Sequence, residues 1–244
     1  AKEFDMKDYY RILIDGIDTS AVVSRIVCGK SWTGAELSDG SFGIAMHTAG
    51  SSVERLFDSL VGLPAKEAAK SVMSWNFEEA SEGMAVINAF YNGVGRMERL
   101  GLAAPFDRIC TKGIDTVGKT VAFVGHLKMP PETVSGCKEL YILERDPRLG
   151  DYPDSACEYI LPQCDIVIIT GSASVNKTMP RLIELSRSAV TILIGPTVPM
   201  CPALKDLGID RLSGMAVRDK AGIIDWMQRE AGNPYPYGET FMIV

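Results

Sequence analysis

Four short runs of β-branched and aliphatic residues dominate the second half of the chain: KTVAFVG from Lys119, ELYILERD from Glu139, DIVIIT from Asp165 and VTILIG from Val190. Each is strand-sized and followed by Gly, Pro or small polar residues, and most are nearly unbroken by polar residues. A strand with one wet face alternates polar and apolar positions. An unbroken run needs cover on both faces, which is the habit of parallel strands flanked by helices. A fifth candidate, IDRLSGMAV, and a closing amphipathic segment, DKAGIIDWMQREAG, continue the series. The segments PETVSG, PDSACEYI, TMPRLIELS and CPALKDLG supply short crossovers. Residues 118–244 therefore read as a doubly wound, Rossmann-like α/β domain.

The first part has another texture. EFDMKDYYRILIDGI predicts a helix ending near Asp15-Gly16, and VVSRIVCGKSWTGAELSDGSFGIAMHT predicts three antiparallel strands with SDGS as a hairpin turn. Two helices are expected next, PAKEAAKSVMSW opening on Pro64 and NFEEASEGMAVINAFYNG closing at Gly93. Residues 1–93 thus form a small α+β domain, with 94–117 as the junction.

With 46% hydrophobic and 23% charged residues, 244 residues can bury a sizeable core. A formal charge of -6 without a basic cluster argues against nucleic acid as a partner. No apolar run is long enough to span a bilayer, and no basic-then-apolar signal segment opens the chain. The six cysteines form no C-x-x-C pair, so reduced thiols in a cytoplasmic protein are expected. A symmetric homodimer is the default assembly. Gly113–Thr120, GIDTVGKT, spells a phosphate loop. Its order is reversed, however, with a strand rather than a helix after the Lys, so Gly118-Lys119 is expected merely to turn the chain into that strand.

In open α/β sheets ligands sit outside the carboxyl ends of the strands. The candidates there are Gly125, His126 and Lys128 after the first run, Glu144 and Asp146 after the second, Thr170, Gly171, Ser172, Ser174, Asn176 and Thr178 after the third, and Gly195, Pro196 and Thr197 after the fourth. The third loop holds more small polar residues than one helix cap needs, which points to a polar or anionic ligand, with Thr178 or Asn176 as N-cap. Glu144 stands where an acid meets a ribose in dinucleotide binders, but GHLKMP lacks the glycines a pyrophosphate requires, so a dinucleotide is disfavoured while S-adenosylmethionine stays open. Glu144, His126 and Asp146 are the candidate acids and bases. Asn88, Tyr91 and Asn92 share one helix face and form a candidate grip from the first domain. Trp32, Thr33 and His47 are expected to pack on the small sheet.

GKSWTGAEL, SFGIAMHT, INAFYN, AFVGH, LERDP, IITGSASVN and LIGPTVP together resemble a bacterial and archaeal family associated with heavy-metal chelation. That resemblance implies an enolase-N-terminal-like domain followed by a Rossmann-like domain. Two histidines and scattered cysteines make a poor soft-metal ligand set, so no protein metal site is expected. The expectation is instead that a cleft between the domains binds or processes, by condensation or hydrolysis, a small organic chelator such as a pterin, flavin precursor or siderophore fragment, with or without its metal. The alternatives are a non-catalytic metal- or ligand-binding protein and a methyltransferase-like enzyme using S-adenosylmethionine.

Overall fold

The computed structural model describes residues 6–50, 53–102, 113–127, 131–229 and 232–244. Helix α1 (Met6–Asp15) precedes strands β1 (Val23–Cys28), β2 (Trp32–Leu37) and β3 (Phe42–Met46), which pair antiparallel in that order. The β2–β3 turn is the SDGS segment, where Gly40 takes φ 86°, a value that suits a residue without Cβ. The segment opening on Pro64 makes only one α turn, α2 (Ala65–Ala68), before tightening into a 3₁₀ turn. Helix α3 (Phe77–Tyr91) is capped as its sequence demands: the Asn76 side chain accepts from the Glu79 amide at 3.1 Å, and Glu78 and Glu79 lie in the first turn.

Helix α3 lies across β2 and β3. The contact is close because Gly43 presents bare backbone to the α3 backbone at Ala85, Asn88 and Ala89. A further helix, α4 (Val94–Arg99), lies in the stretch read from sequence as the junction.

The second sheet holds β4 (Thr120–Val124), β5 (Glu139–Glu144), β6 (Tyr152–Pro153), β7 (Ile166–Thr170), β8 (Val190–Ile194), β9 (Arg211–Val217) and β10 (Gly238–Ile243). Helices α5 (Cys157–Ile160), α6 (Met179–Leu185) and α7 (Lys220–Arg229) accompany it. The strand order is β10-β9-β8-β7-β4-β5-β6, parallel throughout except for β10. Counted from β4 this is the 3-2-1-4-5-6 order of doubly wound sheets, with one antiparallel strand added at the edge. The mixed α/β class expected from the apolar runs is thus the observed one. Strands β6 and β10 were not anticipated. Nor was the tightness of the crossovers, since Pro131–Val134 and Pro202–Leu207 are 3₁₀ turns.

Thr120 opens β4 directly after Lys119, and the Gly118 amide donates to Gly136 O at 2.8 Å. The phosphate-loop lettering therefore enters a strand and has no helix to aim at a phosphate.

The two ends of the described chain cross over. Helix α1 packs against α6 and the Pro202–Leu207 turn, while α7 packs on β1 and β2. One hydrophobic cluster consequently runs from Tyr9, Leu13 and Met84 through to Val167, Leu193 and Phe241. A second joins Val27, Trp32, Phe42 and Ile44 to Met215, Trp226 and Met227. Trp32 also donates its indole N–H to Gly232 O at 2.8 Å. His47 stays on the small sheet, its Nδ1 3.2 Å from the Thr33 hydroxyl. Among the described residues no helix is long and apolar enough to cross a membrane.

Candidate functional site

The sheet reverses its winding between β4 and β7, so the connections leaving these two strands diverge and open a crevice at their carboxyl ends. A cavity of about 290 Å³ occupies that crevice. Its walls come from the loop after β4 (Gly125, His126, Leu127), the end of β5 (Glu144, Arg145), the turn before α5 (Asp154), the first residue of α5 (Cys157) and the loop after β7 (Thr170, Ser172, Asn176, Thr178). Met46, at the end of β3, closes it from the small sheet.

The loop after β7 divides its residues between cavity and core. Thr170, Ser172, Asn176 and Thr178 are half-buried on the cavity side, whereas Gly171, Ala173, Ser174, Val175 and Lys177 are buried. The cavity-side groups brace one another. Thr170 Oγ1 lies 3.1 Å from Ser172 Oγ, and Asn176 Oδ1 accepts from both the amide and the hydroxyl of Thr178, at 3.1 and 2.6 Å. Neither Asn176 nor Thr178 caps α6 by a side-chain bond, because Thr178 is already helical in φ and ψ and Asn176 is spent on an Asx-type turn.

Between them Lys177 takes φ 71°, a left-handed conformation that costs a side-chain-bearing residue about 1–2 kcal/mol. Its amine is buried, donates to Val175 O at 2.9 Å and lies 5.7 Å from the ring centres of Tyr10 and Phe77. Burial pulls this amine down to about 8, with Glu79 opposing. Backbone strain of this kind persists only where the surroundings over-determine it. Here the strained residue lies between Asn176 and Thr178, which both line the cavity.

His126 is the best-defined polar group in the crevice. Its Nδ1 lies 3.0 Å from Asp151 Oδ2, and Asp151 is held in turn by the Arg148 amide at 3.0 Å. The Asp151 side chain is only 4% exposed. Its carboxyl is held below the usual carboxylate range, first by the Arg148 amide bond and then by His126. A carboxylate on Nδ1 fixes ring orientation and tautomer, leaving Nε2 for other work.

Glu144 is differently employed. Its Oε2 accepts from the His126 amide and its Oε1 from the Arg145 amide, both at 2.7 Å. The carboxylate thereby clamps the loop that carries His126. Gly125, at φ 99°, makes the sharp exit from β4, and a Cβ there would meet the Thr170 side chain at 2.8 Å.

Several sequence candidates lie elsewhere. Ser174 is fully buried, its hydroxyl 2.8 Å from Tyr9 OH and its carbonyl accepting from Tyr10 OH at 2.7 Å. Gly171 does permit close backbone approach, but by Thr197 and Val198 of this same chain rather than by a ligand. Thr197 Oγ1 accepts from the Met46 amide at 2.9 Å. Gly195 and Pro196 turn the chain out of β8 beside that contact and do not line the cavity, and exposed Asp146 does not line it either. Lys128 lies outside the described residues.

The trio on α3 is a seam. Asn88 Nδ2 donates to Ile44 O at 2.8 Å and Thr197 O at 3.1 Å. Tyr91 OH donates to Leu13 O at 3.0 Å. Asn92 Nδ2 donates to Val198 O and Met215 O, and its Oδ1 accepts from the Met200 amide at 2.8 Å. All three are buried to within 1% and tie α3 to the β8–β9 connection and to α1. Their corrected role follows from those partners, because a ligand could reach them only by displacing the core.

Asp151, Asp154, Cys157 and Met46 were missed as site residues. They sit on turns, at a helix start or at a strand end, where no periodicity marks which side faces the crevice. Only the DYPD turn lettering could have drawn attention to Asp151 and Asp154.

A soft metal ion does not fit this donor set. The Cys157 thiol is pushed up to about 12, chiefly by burial and further by Asp154 and Glu158, so it stays protonated. His126 Nδ1 and both Glu144 oxygens are occupied, and among the described residues no three His, Cys, Asp or Glu side chains converge on one point.

Residues 114–239 match the family DUF364 and residues 10–91 match DUF4213, both described as "Putative heavy-metal chelation". A DUF364-family protein of unknown function from Desulfitobacterium hafniense DCB-2 has a crystal structure 36% identical in sequence, over 98% of this chain and 97% of that one, with a TM-score of 0.87. A second, from Pyrococcus horikoshii, is 22% identical over 98% and 97% and shares the fold with a TM-score of 0.76. An uncharacterised protein of Methanocaldococcus jannaschii is 29% identical over 154 residues, 60% of this chain, and the match spans 58% of that protein's length. On the extent of these matches the chain belongs to the DUF364 family.

Proposed function

We propose that the chain binds a small organic, metal-chelating molecule in the crevice between β4 and β7 and processes it by condensation or hydrolysis, with His126 as general acid and base. In this reading the small sheet acts as an enolase-N-terminal-like cap on a Rossmann-like domain, and any heavy metal arrives as cargo on the ligand. The observation that carries it is the His126–Asp151 pair at the mouth of a cavity at the switch point. An imidazole oriented through Nδ1 can take and return a proton at Nε2, a form of catalysis contributing roughly 10²–10⁴-fold.

The cavity, about 290 Å³, stands at the small end of ligand sites. Apolar Val124, Leu143 and Leu182 suit a flat ring, while Ser172, Asn176 and Thr178 offer hydrogen bonds at its edge. A pterin, a flavin precursor or a catechol fragment has that build. Glu144, engaged with two amides, supports the loop rather than a ribose, which favours this reading over S-adenosylmethionine chemistry.

The test is thermal unfolding of the pure protein with a pterin, riboflavin, a catechol, S-adenosylmethionine and soft metal ions, each alone. A ring-type chelator at about 100 times its Kd should stabilise by roughly 2.7 kcal/mol. Asn176→Ala should abolish that shift, and His126→Ala should keep binding while losing turnover. Stabilisation by bare metal ions alone would sink the reading.

A further inference from the structure

A second cleft, of about 790 Å³, opens at the carboxyl end of β9, three strands along the sheet from β4 and so about 14 Å from the crevice. Its walls are the loop after α1, the β2–β3 turn, α4 and the start of α7. Four cationic side chains line it: Arg96, Arg99, Arg218 and Lys220. Two of them are neutralised within the protein, Arg218 by Glu98 and Glu239 and Lys220 by Glu36. Arg96 and Arg99 are not. They stand at i and i+3 on α4, one face of one helix, and neither has a carboxylate partner among the described residues.

Arg96 is also held in place. Its guanidinium lies over the ring of Phe90 at 4.4 Å and near that of Tyr91 at 5.3 Å, which fixes the plane of the group. Its Nε is buried without a hydrogen-bond partner. A buried N–H without an acceptor costs about 1–3 kcal/mol, and a stacked guanidinium is a fork built for phosphate or carboxylate.

We propose that this cleft is a binding site for a small organic phosphate, with Arg96 and Arg99 holding the phosphate group. Two unpaired guanidinium groups match the charge of a phosphate monoester, which is largely dianionic at neutral pH. The volume exceeds what a bare ion fills and falls within the range of small-molecule sites. Asp18 and Asp39 also line the cleft. The site is separate from the crevice, and its test does not depend on the reading given for His126.

The experiment is calorimetric titration of the whole chain with β-glycerophosphate, inorganic phosphate and succinate at matched ionic strength. β-Glycerophosphate is expected to bind saturably, at least tenfold more tightly than succinate. Arg99→Gln, at an exposed position, should weaken it tenfold or more with an unchanged circular dichroism spectrum. Arg96→Gln removes the stacked group and is read only if the variant folds, so Arg99→Gln decides. His126→Ala should leave the phosphate affinity as it is. Equal affinity in Arg99→Gln, or no heat above chloride, would overturn the site. Equal binding of succinate would overturn the phosphate class.

Discussion

The loop from Thr170 to Thr178 and the end of α3 carry the same chemistry, short hydroxyls and amides, yet the molecule uses them oppositely. On α3, Asn88 and Asn92 spend their amides on backbone groups of the neighbouring half and are sealed from solvent. On the loop, the side chains of Thr170, Ser172, Asn176 and Thr178 bond, among the described residues, within the loop itself and keep a side turned to the crevice. The difference lies in the available partners. Backbone groups of the neighbouring half take up both ends of the Asn92 amide, whereas Asn176 Oδ1 takes only the amide and hydroxyl of Thr178 in its own turn. A buried polar residue is therefore weak evidence for a ligand until its partners have been counted.

The comparison is broken most severely at Asn92. Asn92→Ala strands two carbonyls and an amide in the core and should cost about 3 kcal/mol or more, read as a lower denaturant midpoint with unchanged ligand affinity per folded molecule. Asn176→Ala is the mirror experiment, with lost ligand stabilisation and a fold changed by less than about 1 kcal/mol.

Lys177→Met should raise stability near neutral pH by about 2 kcal/mol, since it removes a buried amine. The sign is fixed by linkage. The folded-state value is depressed to about 8, so the unfolded chain binds the extra proton between there and about 10.5. The variant's advantage over wild type accordingly shrinks across that window, as urea titrations of both at pH 7.5, 9 and 10.5 would show.

Ser174→Ala, which deprives Tyr9 OH of its partner, should cost about 1–2 kcal/mol and leave the crevice intact. The finest contrast is Asp151→Asn. A depressed carboxyl stabilises fully above its unfolded value near 4 and loses that contribution as pH falls through its folded value. The stability gap between wild type and variant should thus be widest above about pH 5 and close in acid.

Strand and helix identities were legible because burial on two faces leaves an unbroken apolar run and burial on one face leaves a period. Strand β10 was not, since GETFMI is half-buried at a sheet edge and mixes both patterns. The cavity at the carboxyl ends of β4 and β7 was legible as a place through Gly125, Thr170 and the loop beyond. The His126–Asp151 pair was not, because 25 residues and two turns separate its members and only tertiary geometry brings them to 3.0 Å. The seam was misread for a related reason: helical spacing puts Asn88, Tyr91 and Asn92 on one face without saying what that face meets.

The crossed ends of the chain have a consequence for synthesis. Tyr9 and Tyr10 are made well before Ser174, the partner of their hydroxyls, which follows some 165 residues later. The small sheet is made early as well, yet Trp226 and Met227, which complete its cluster, come near the end of the described chain. Domains made in sequence normally fold as they emerge. Here neither half can finish before the other, so the nascent chain must hold an unsatisfied apolar sheet face until α7 has been made.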